Sequence, residues 1–91
     1  MKIVYPAIFQ KKNDGGGYQA YFPDLDGCVA EGTDLEDAAD HAREAATDWL
    51  LVEMDEGNEL PEISHEEDLS LEEGNIVKYL TMTIQLVPGY D

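Results

Sequence analysis

The sequence contains few basic residues. Its 91 residues include five lysines and arginines against 21 aspartates and glutamates, which gives a formal net charge of −16. A chain this negative repels phosphates, so direct binding to DNA or RNA is not expected. The same charge favours a basic protein partner. The alternative interpretation is an acidic surface that serves solubility alone.

Cysteine and long apolar runs are also scarce. One cysteine cannot form an internal disulfide, which favours a reducing compartment. Lys2 leads directly into strand-like sequence, without the basic and apolar segment of a signal peptide. The apolar runs fall far short of the roughly 20 residues that a membrane helix needs. We therefore expect one cytoplasmic domain over residues 1–91, with no membrane segment.

Side chains suited to catalysis or metal binding are few. Cys28 has no basic neighbour in sequence and precedes an apolar strand, so we expect a buried structural side chain, not a thiolate nucleophile. His41 and His65 are the only histidines, and with one cysteine they form no zinc spacing. Asp24 and Asp26 could bind a divalent cation loosely, but they match no calcium-loop pattern and are interpreted as turn residues. We expect no cofactor, no metal and no enzymatic activity.

Three short strands are predicted before the first helix. Alternating apolar residues predict a strand over residues 2–10, and residues 13–17 form a glycine-rich turn. Two further strands follow over residues 18–22 and 28–31. Pro6 lacks a backbone donor, so the first strand should bulge there or turn that position away from its neighbour. Together the three strands predict an antiparallel meander.

One helix follows the meander. Thr33 is predicted to cap it, because Thr33 and Glu36 have the spacing of a capping box. Gly57 and Pro61 are expected to end it. Its apolar stripe is mostly alanine, so the helix should lie close to a sheet. The stripe consists of Leu35, Ala38, Ala39, Ala42, Ala45, Ala46, Trp49 and Leu50.

The opposite side of this helix carries acidic residues at successive i,i+4 positions. They are Glu36, Asp40, Glu44 and Asp48. Like charges at this spacing repel each other, and only Arg43 lies nearby to offset them. This side is either a solvated face or a docking surface for a basic partner. The turn acids Asp24 and Asp26 form a second candidate partner-binding set.

An acidic segment and one strand complete the chain. Residues 53–73 contain ten acids, one histidine and no lysine or arginine. Residues 53–75 are therefore predicted to form a solvated or partly disordered crossover loop. Residues 76–87 alternate as a final strand that should pair with the meander. The order β-β-β-α-β predicts an α+β fold, with one helix packed on one face of an antiparallel sheet.

Four runs in the first 38 positions form a family pattern. They are Tyr5-Pro6-Ala7-Ile8-Phe9, Gly16-Gly17-Tyr18, Phe22-Pro23-Asp24-Leu25 with Gly27-Cys28-Val29, and Gly32 with Leu35-Glu36-Asp37-Ala38. This pattern resembles the N-terminal domain of HicB antitoxins and, extended to Pro61, covers about two-thirds of the chain. The resemblance implies a partial RNase H-like fold without RNase activity. It also implies a partner, HicA, a small basic mRNA-cleaving toxin that is neutralised when its RNA-binding and catalytic surface is covered.

Two features depart from the family pattern. Many members carry a C-terminal DNA-binding segment, either helix-turn-helix or ribbon-helix-helix. None is recognisable after residue 87, so direct DNA binding is not expected. Asp26 stands where the family usually has proline, which should make the turn before Cys28 less rigid.

Two alternatives to toxin neutralisation stay open at this point. The first is a stand-alone domain that associates with itself through edge strands, above all residues 76–86. The second is a Mg²⁺-dependent nuclease with RNase H-like geometry, in which Asp24 would be a metal ligand.

Overall fold

A computed structural model describes residues 1–84 as a four-stranded antiparallel sheet with one helix across one face. The strands are β1 (Lys2–Lys11), β2 (Tyr18–Tyr21), β3 (Val29–Gly32) and β4 (Ile76–Thr83), and the helix is α1 (Leu35–Asp55). In space the strands follow the order β3-β2-β1-β4. The predicted α+β fold and its β-β-β-α-β order are confirmed. Residues 85–87 of the predicted last strand lie outside the described residues.

Strand bounds differ from the predictions by about one residue. β1 extends to Lys11, β2 ends at Tyr21, and β3 spans Val29–Gly32 where residues 28–31 were expected. Cys28 lies in the turn before β3, because its N–H donates to the Leu25 carbonyl at 3.0 Å.

Pro6 lies within β1 without interrupting the sheet. β1 pairs with β4 in unbroken register over residues 2–9. Met1 and Ile84 exchange two main-chain hydrogen bonds, of 2.9 and 2.8 Å. Because such pairs alternate along antiparallel strands, Pro6 occupies a non-hydrogen-bonded position towards β4. Its nitrogen points to the other side, where β2 pairs only with residues 8–11. The missing donor therefore removes no ladder bond, as predicted.

The core lies between α1 and one face of the sheet. The sheet contributes large side chains such as Tyr5, Phe9 and Met82, and α1 contributes the predicted alanine stripe together with Leu50. Small helix side chains allow the backbones to approach closely. At the end of β3, a Cβ on Gly32 would lie 2.2 Å from the backbone nitrogen of Ala38. The start of α1 therefore packs against β3 only because position 32 has no side chain.

The N-terminus of α1 is capped one residue later than predicted. Asp34 is the N-cap, and its Oδ1 accepts a hydrogen bond from the Asp37 N–H at 2.7 Å. The Asp37 carboxylate in turn accepts one from the Thr33 N–H at 2.9 Å. The predicted box of Thr33 and Glu36 is therefore wrong. Aspartate caps a helix at least as well as threonine, and the Asp34–Asp37 pair has the same three-residue spacing.

Gly57 ends α1 as predicted. Gly57 has a φ of 78° and donates its N–H to the Met54 carbonyl at 3.1 Å. The Asn58 N–H donates to the backbone carbonyl of Glu53 at 3.0 Å. These two bonds form a Schellman motif. Residues 53–55 are consequently helical, and their assignment to the acidic loop was wrong. Met54 packs against the core one turn beyond Leu50, which extends the apolar stripe.

Residues 56–75 form the acidic crossover that connects α1 to β4. None of these residues is buried, and the only regular structure among them is a short 3₁₀ turn at Glu66–Asp68. Within residues 1–84, no helix combines the length and the apolar character that are needed to cross a bilayer.

Candidate partner-binding surface

The predicted acidic side of α1 is a row of exposed carboxylates, called here the acidic row. It consists of Glu36, Asp40, Glu44 and Asp48. Asp40 forms an ion pair with Arg43, with 2.9 Å between Oδ1 and Nη1. The other three carboxylates form no ion pair with any residue of the described part of the chain. The row thus carries negative charge that the fold leaves largely uncompensated.

The acidic row winds slowly around α1. At 3.6 residues per turn, each step of four residues rotates by about 40°, so the row turns by about 120° between Glu36 and Asp48. Glu36 lies at the capped start of the helix, beside Asp34 and Asp37. Asp48 instead reaches the side of the helix that faces the turn at Gly27. The two ends of the row therefore present their charge in different directions.

Asp24 is engaged inside the molecule. Its Oδ2 accepts a hydrogen bond from the Ser64 N–H at 2.8 Å, and its Oδ1 accepts one from the Ser64 hydroxyl. The carboxylate is partly buried and joins the turn after β2 to the acidic crossover, 40 residues away. Asp24 therefore has a structural role in positioning the crossover.

Two tyrosine hydroxyls add to this attachment. Tyr5 donates to the Pro61 carbonyl, and Tyr79 donates to the Ser64 carbonyl at 3.3 Å. Burial, and secondarily the charge of Asp24, raise the pKa of the Tyr5 hydroxyl, which stays a donor at neutral pH. The crossover is thus fixed at Pro61 and Ser64 by three side chains from the sheet and its turn.

Asp26 is exposed, and its backbone lies against α1. The Trp49 indole Nε1–H donates to the Asp26 carbonyl at 2.9 Å. This bond places Asp26 beside the end of α1 that carries Asp48. The structure therefore places the Asp26 backbone next to Trp49, the residue that follows Asp48 in the sequence, keeps Asp24 internal, and leaves Glu36 at the far end of the helix.

The start of α1 forms a small network with β3. The His41 Nδ1–H donates to the Glu31 carbonyl at 2.8 Å, and the Asp37 carboxylate lies 3.8 Å from the same nitrogen. The hydrogen bond to Glu31, followed by the charge of Asp37, raises the pKa of His41. The hydrogen bond from Thr33 lowers the pKa of Asp37. Both ionised side chains therefore favour the observed junction of helix and strand.

The structure describes the surroundings of the one cysteine and of the acidic side chains in residues 1–84. Burial raises the pKa of the Cys28 thiol, which disfavours the reactive thiolate. Residues 1–84 contain no group of three or more His, Cys, Asp or Glu side chains that could hold a metal ion.

Sequence reasoning missed the contacts that position this surface. The Trp49–Asp26 and Ser64–Asp24 hydrogen bonds join residues 23 and 40 positions apart, so no local pattern indicates them. A usable signal was the tryptophan at the edge of the alanine stripe, because a half-buried indole N–H normally finds an acceptor.

Several solved structures from toxin–antitoxin systems are similar to this chain in fold. The chain is similar to a "HicA3 and HicB3 toxin-antitoxin complex", with 28% identity, a TM-score of 0.66, and coverage of 92% of this chain and 100% of that chain. It is also similar to a "Toxin-Antitoxin complex from Streptococcus pneumoniae", with 21% identity, a TM-score of 0.81, and coverage of 91% of this chain and 70% of that chain. The N-terminal domain of the Burkholderia pseudomallei antitoxin HicB is similar too, with 20% identity, a TM-score of 0.71, and coverage of 92% of this chain and 100% of that chain. The last two likenesses concern the fold alone.

Sequence comparison identifies the family. No curated protein sequence is detectably similar to the chain. The family model described as "HicB_like antitoxin of bacterial toxin-antitoxin system" matches residues 5–87, which is most of its length. This match includes the runs on which the resemblance was based. The chain therefore belongs to the HicB-like antitoxin family.

Proposed function

We propose that this protein binds and neutralises a small basic mRNA-cleaving toxin of the HicA type, by covering its RNA-binding and active surface. Membership of the HicB-like antitoxin family supports a role in a toxin–antitoxin system and suggests a non-enzymatic protein. A solved structure with 28% identity is itself a complex of HicA3 and HicB3. The observation that carries the proposal is the acidic row on α1.

The acidic row suits a surface that normally binds phosphates. Successive carboxylates are four residues apart on a helix that rises about 1.5 Å per residue, so they recur about every 6 Å. A protein that binds RNA presents lysine and arginine side chains at its surface. Carboxylates facing those side chains would accelerate association and oppose the approach of RNA.

The first experiment tests neutralisation. The proposal predicts that a small basic HicA-type protein is encoded beside the gene for this chain, and the experiment expresses that protein in bacteria with and without this chain. We expect co-expression to relieve the growth arrest and the two proteins to co-purify. The association rate should fall at least about tenfold between 0.05 and 0.5 M salt. Arrest that persists despite soluble expression of this chain would overturn the proposal.

A matched pair of variants tests the surface. The first neutralises the acidic row with Glu36→Gln, Asp40→Asn, Glu44→Gln and Asp48→Asn. The control removes the same charge from the acidic crossover with Glu62→Gln, Glu66→Gln, Glu67→Gln and Glu72→Gln. We expect at least about a tenfold rise in the toxin Kd for the first and less than about threefold for the control. Equal changes in the toxin Kd for the two variants would mean that binding depends on the overall charge of the chain and not on the acidic row.

A second candidate function is self-association without a toxin. Its support is that β3 and β4 lie at the two edges of the sheet, with Val29 67% exposed and Tyr79 43% exposed. An edge strand can pair with the edge of another copy. Light scattering on the purified chain distinguishes the two candidates, because a closed dimer with no affinity for the toxin would favour this second function.

The proposed place of action is the cytoplasm, where mRNA-cleaving toxins meet their substrate. Direct DNA binding is not part of the proposal, because residues 1–84 carry far more acidic than basic side chains.

A further inference from the structure

A groove of about 310 Å³ runs between residues 27–29, where the turn leads into β3, and one side of α1. The helix lines it with residues at positions i, i+3, i+4, i+7 and i+8, a spacing that places them on one face. They are Ala45, Asp48, Trp49, Val52 and Glu53. The volume is at the small end of the roughly 300–1,000 Å³ of ligand pockets, so it suits one side chain better than a large ligand.

The apolar part of the groove is fixed in place but open to water. The hydrogen bond from the Trp49 Nε1–H to the Asp26 carbonyl sets the orientation of the indole ring. Val52 is 55% exposed and Val29 is 67% exposed. Exposed apolar side chains beside an oriented tryptophan are typical of the central contacts of protein interfaces.

Two carboxylates give the groove its charge. Asp48 forms no ion pair with any described residue. Glu53 accepts a hydrogen bond from the Asn58 side chain at 2.9 Å, which holds the carboxylate in position without neutralising it. The groove therefore combines an aromatic side chain, an apolar wall and two negative charges.

We propose that this groove binds an arginine side chain of a basic protein partner. This inference rests on the proposed function, and it assigns to that interaction a specific anchor at one end of the acidic row. A guanidinium group is planar, so it stacks on an indole while its N–H groups donate to carboxylates. Its aliphatic stem covers apolar surface such as that of Val52.

Other occupants fit the groove less well. A phosphate or acidic peptide would be repelled by Asp48 and Glu53. A purely apolar side chain would displace water from those carboxylates and return no hydrogen bond. A second copy of this chain would have to supply Arg43, which is already paired with Asp40.

Trp49 provides the readout, since it is the only tryptophan in the chain. The probes are the blocked tripeptide acetyl-Gly-Arg-Gly-amide and its citrulline analogue, which keeps the shape of the side chain but lacks the charge. Titration of Trp49 fluorescence should saturate for the arginine peptide with a Kd at least about fivefold lower than for the citrulline peptide. Equal titration curves, or no response to either peptide, would overturn the inference.

A pair of isosteric double variants tests the two carboxylates. Asp48→Asn with Glu53→Gln should weaken binding of the arginine peptide at least about fivefold. Glu72→Gln with Glu73→Gln makes the same change in net charge on residues that do not line the groove, and should change the Kd less than about twofold. Similar Kd values for the two variants would contradict a specific site. Far-UV circular dichroism verifies that both fold.

The same variants separate this inference from the proposed function. If the HicA-type toxin binds the wild-type chain and both double variants equally well, the groove is not its anchor and the antitoxin role stands. If the toxin does not bind the wild-type chain, the proposed function fails, and the peptide titration still decides whether the groove recognises arginine.

Discussion

The sheet–helix core and the acidic crossover at residues 56–75 are held by different kinds of contact. The core has continuous strand pairing and fully buried side chains such as Phe9, Leu25 and Leu50. The crossover has no fully buried residue: Leu60 packs partly against the core, and hydrogen bonds attach the segment at Pro61 and Ser64. Burial stabilises a fold cooperatively, whereas a few hydrogen bonds hold a segment only locally. We therefore expect the crossover to open without unfolding the core.

The largest expected effect comes from the core, where adjacent leucines form a natural pair. Leu50 is fully buried under the sheet, and Leu51 is 42% exposed on the other side of α1. Leu50→Ala should lower the free energy of unfolding by about 2–5 kcal/mol, because it leaves a cavity. Leu51→Ala should lower it by less than about 1 kcal/mol. Urea denaturation monitored by circular dichroism measures both, and similar losses would contradict the assigned helix orientation.

A smaller and more local effect is expected at the attachment of the crossover. Asp24→Ala removes both hydrogen bonds to Ser64, whereas Asp26→Ala alters a neighbouring exposed carboxylate and keeps the carbonyl that Trp49 uses. We expect Asp24→Ala to lower the free energy of unfolding by about 1 kcal/mol. It should also accelerate cleavage by a glutamate-specific protease within residues 59–73 by roughly threefold or more.

Mass spectrometry locates the cleavage sites in this experiment. Asp26→Ala should be cleaved like the wild type. Faster cleavage across the whole chain in Asp24→Ala would mean that crossover and core open together, and the distinction between the two regions would then be lost.

The smallest expected effect concerns the junction of α1 and β3. His41 has a raised pKa in the folded protein, so its protonated form stabilises the fold. That contribution to stability is complete below pH 6.5, the pKa of histidine in the unfolded chain. It is lost as the pH rises through the higher pKa that His41 has in the folded protein. Asp37, with a lowered pKa, loses its contribution only in acid, as the pH falls below 3.8 and through its folded value.

The Tm at pH 6 minus the Tm at pH 8 measures the contribution of the His41 proton to stability. It should be larger for the wild type than for His41→Gln, by about one or two degrees at most because the side chain is exposed. His65→Gln is the control, because His65 lies in the crossover and is also exposed. A wild-type profile that matches His41→Gln would show that the junction does not depend on this proton.

The parts of the fold predicted from the sequence are those with local signals. Alternating apolar residues predicted β1, and the alanine stripe predicted α1. Burial on one face imposes a period of two residues on a strand and of 3.6 residues on a helix. Gly57 marked the end of the helix because few other residues adopt its positive φ. Membership of the family followed from equally local runs, such as residues 22–29.

The remaining features depend on choices that a local pattern does not resolve. Thr33 and Asp34 are adjacent residues that both cap helices, and residue preference alone does not choose between them. The engagement of Asp24 depends on Ser64, and the groove joins Gly27 to Glu53. Both arise from tertiary contacts between segments that are distant in sequence.

The alanine face of α1 has a consequence for the opposite face. Because small side chains seat the helix directly on the sheet, the helix has little freedom to rotate or slide. The backbone positions that carry the carboxylates from Glu36 to Asp48 are therefore fixed, and they rise about 18 Å along the helix axis in steps of about 6 Å. In the proposed complex, a basic partner would meet carboxylates whose backbone positions are set before the encounter, so less conformational entropy would be lost on binding than with a flexible acidic tail.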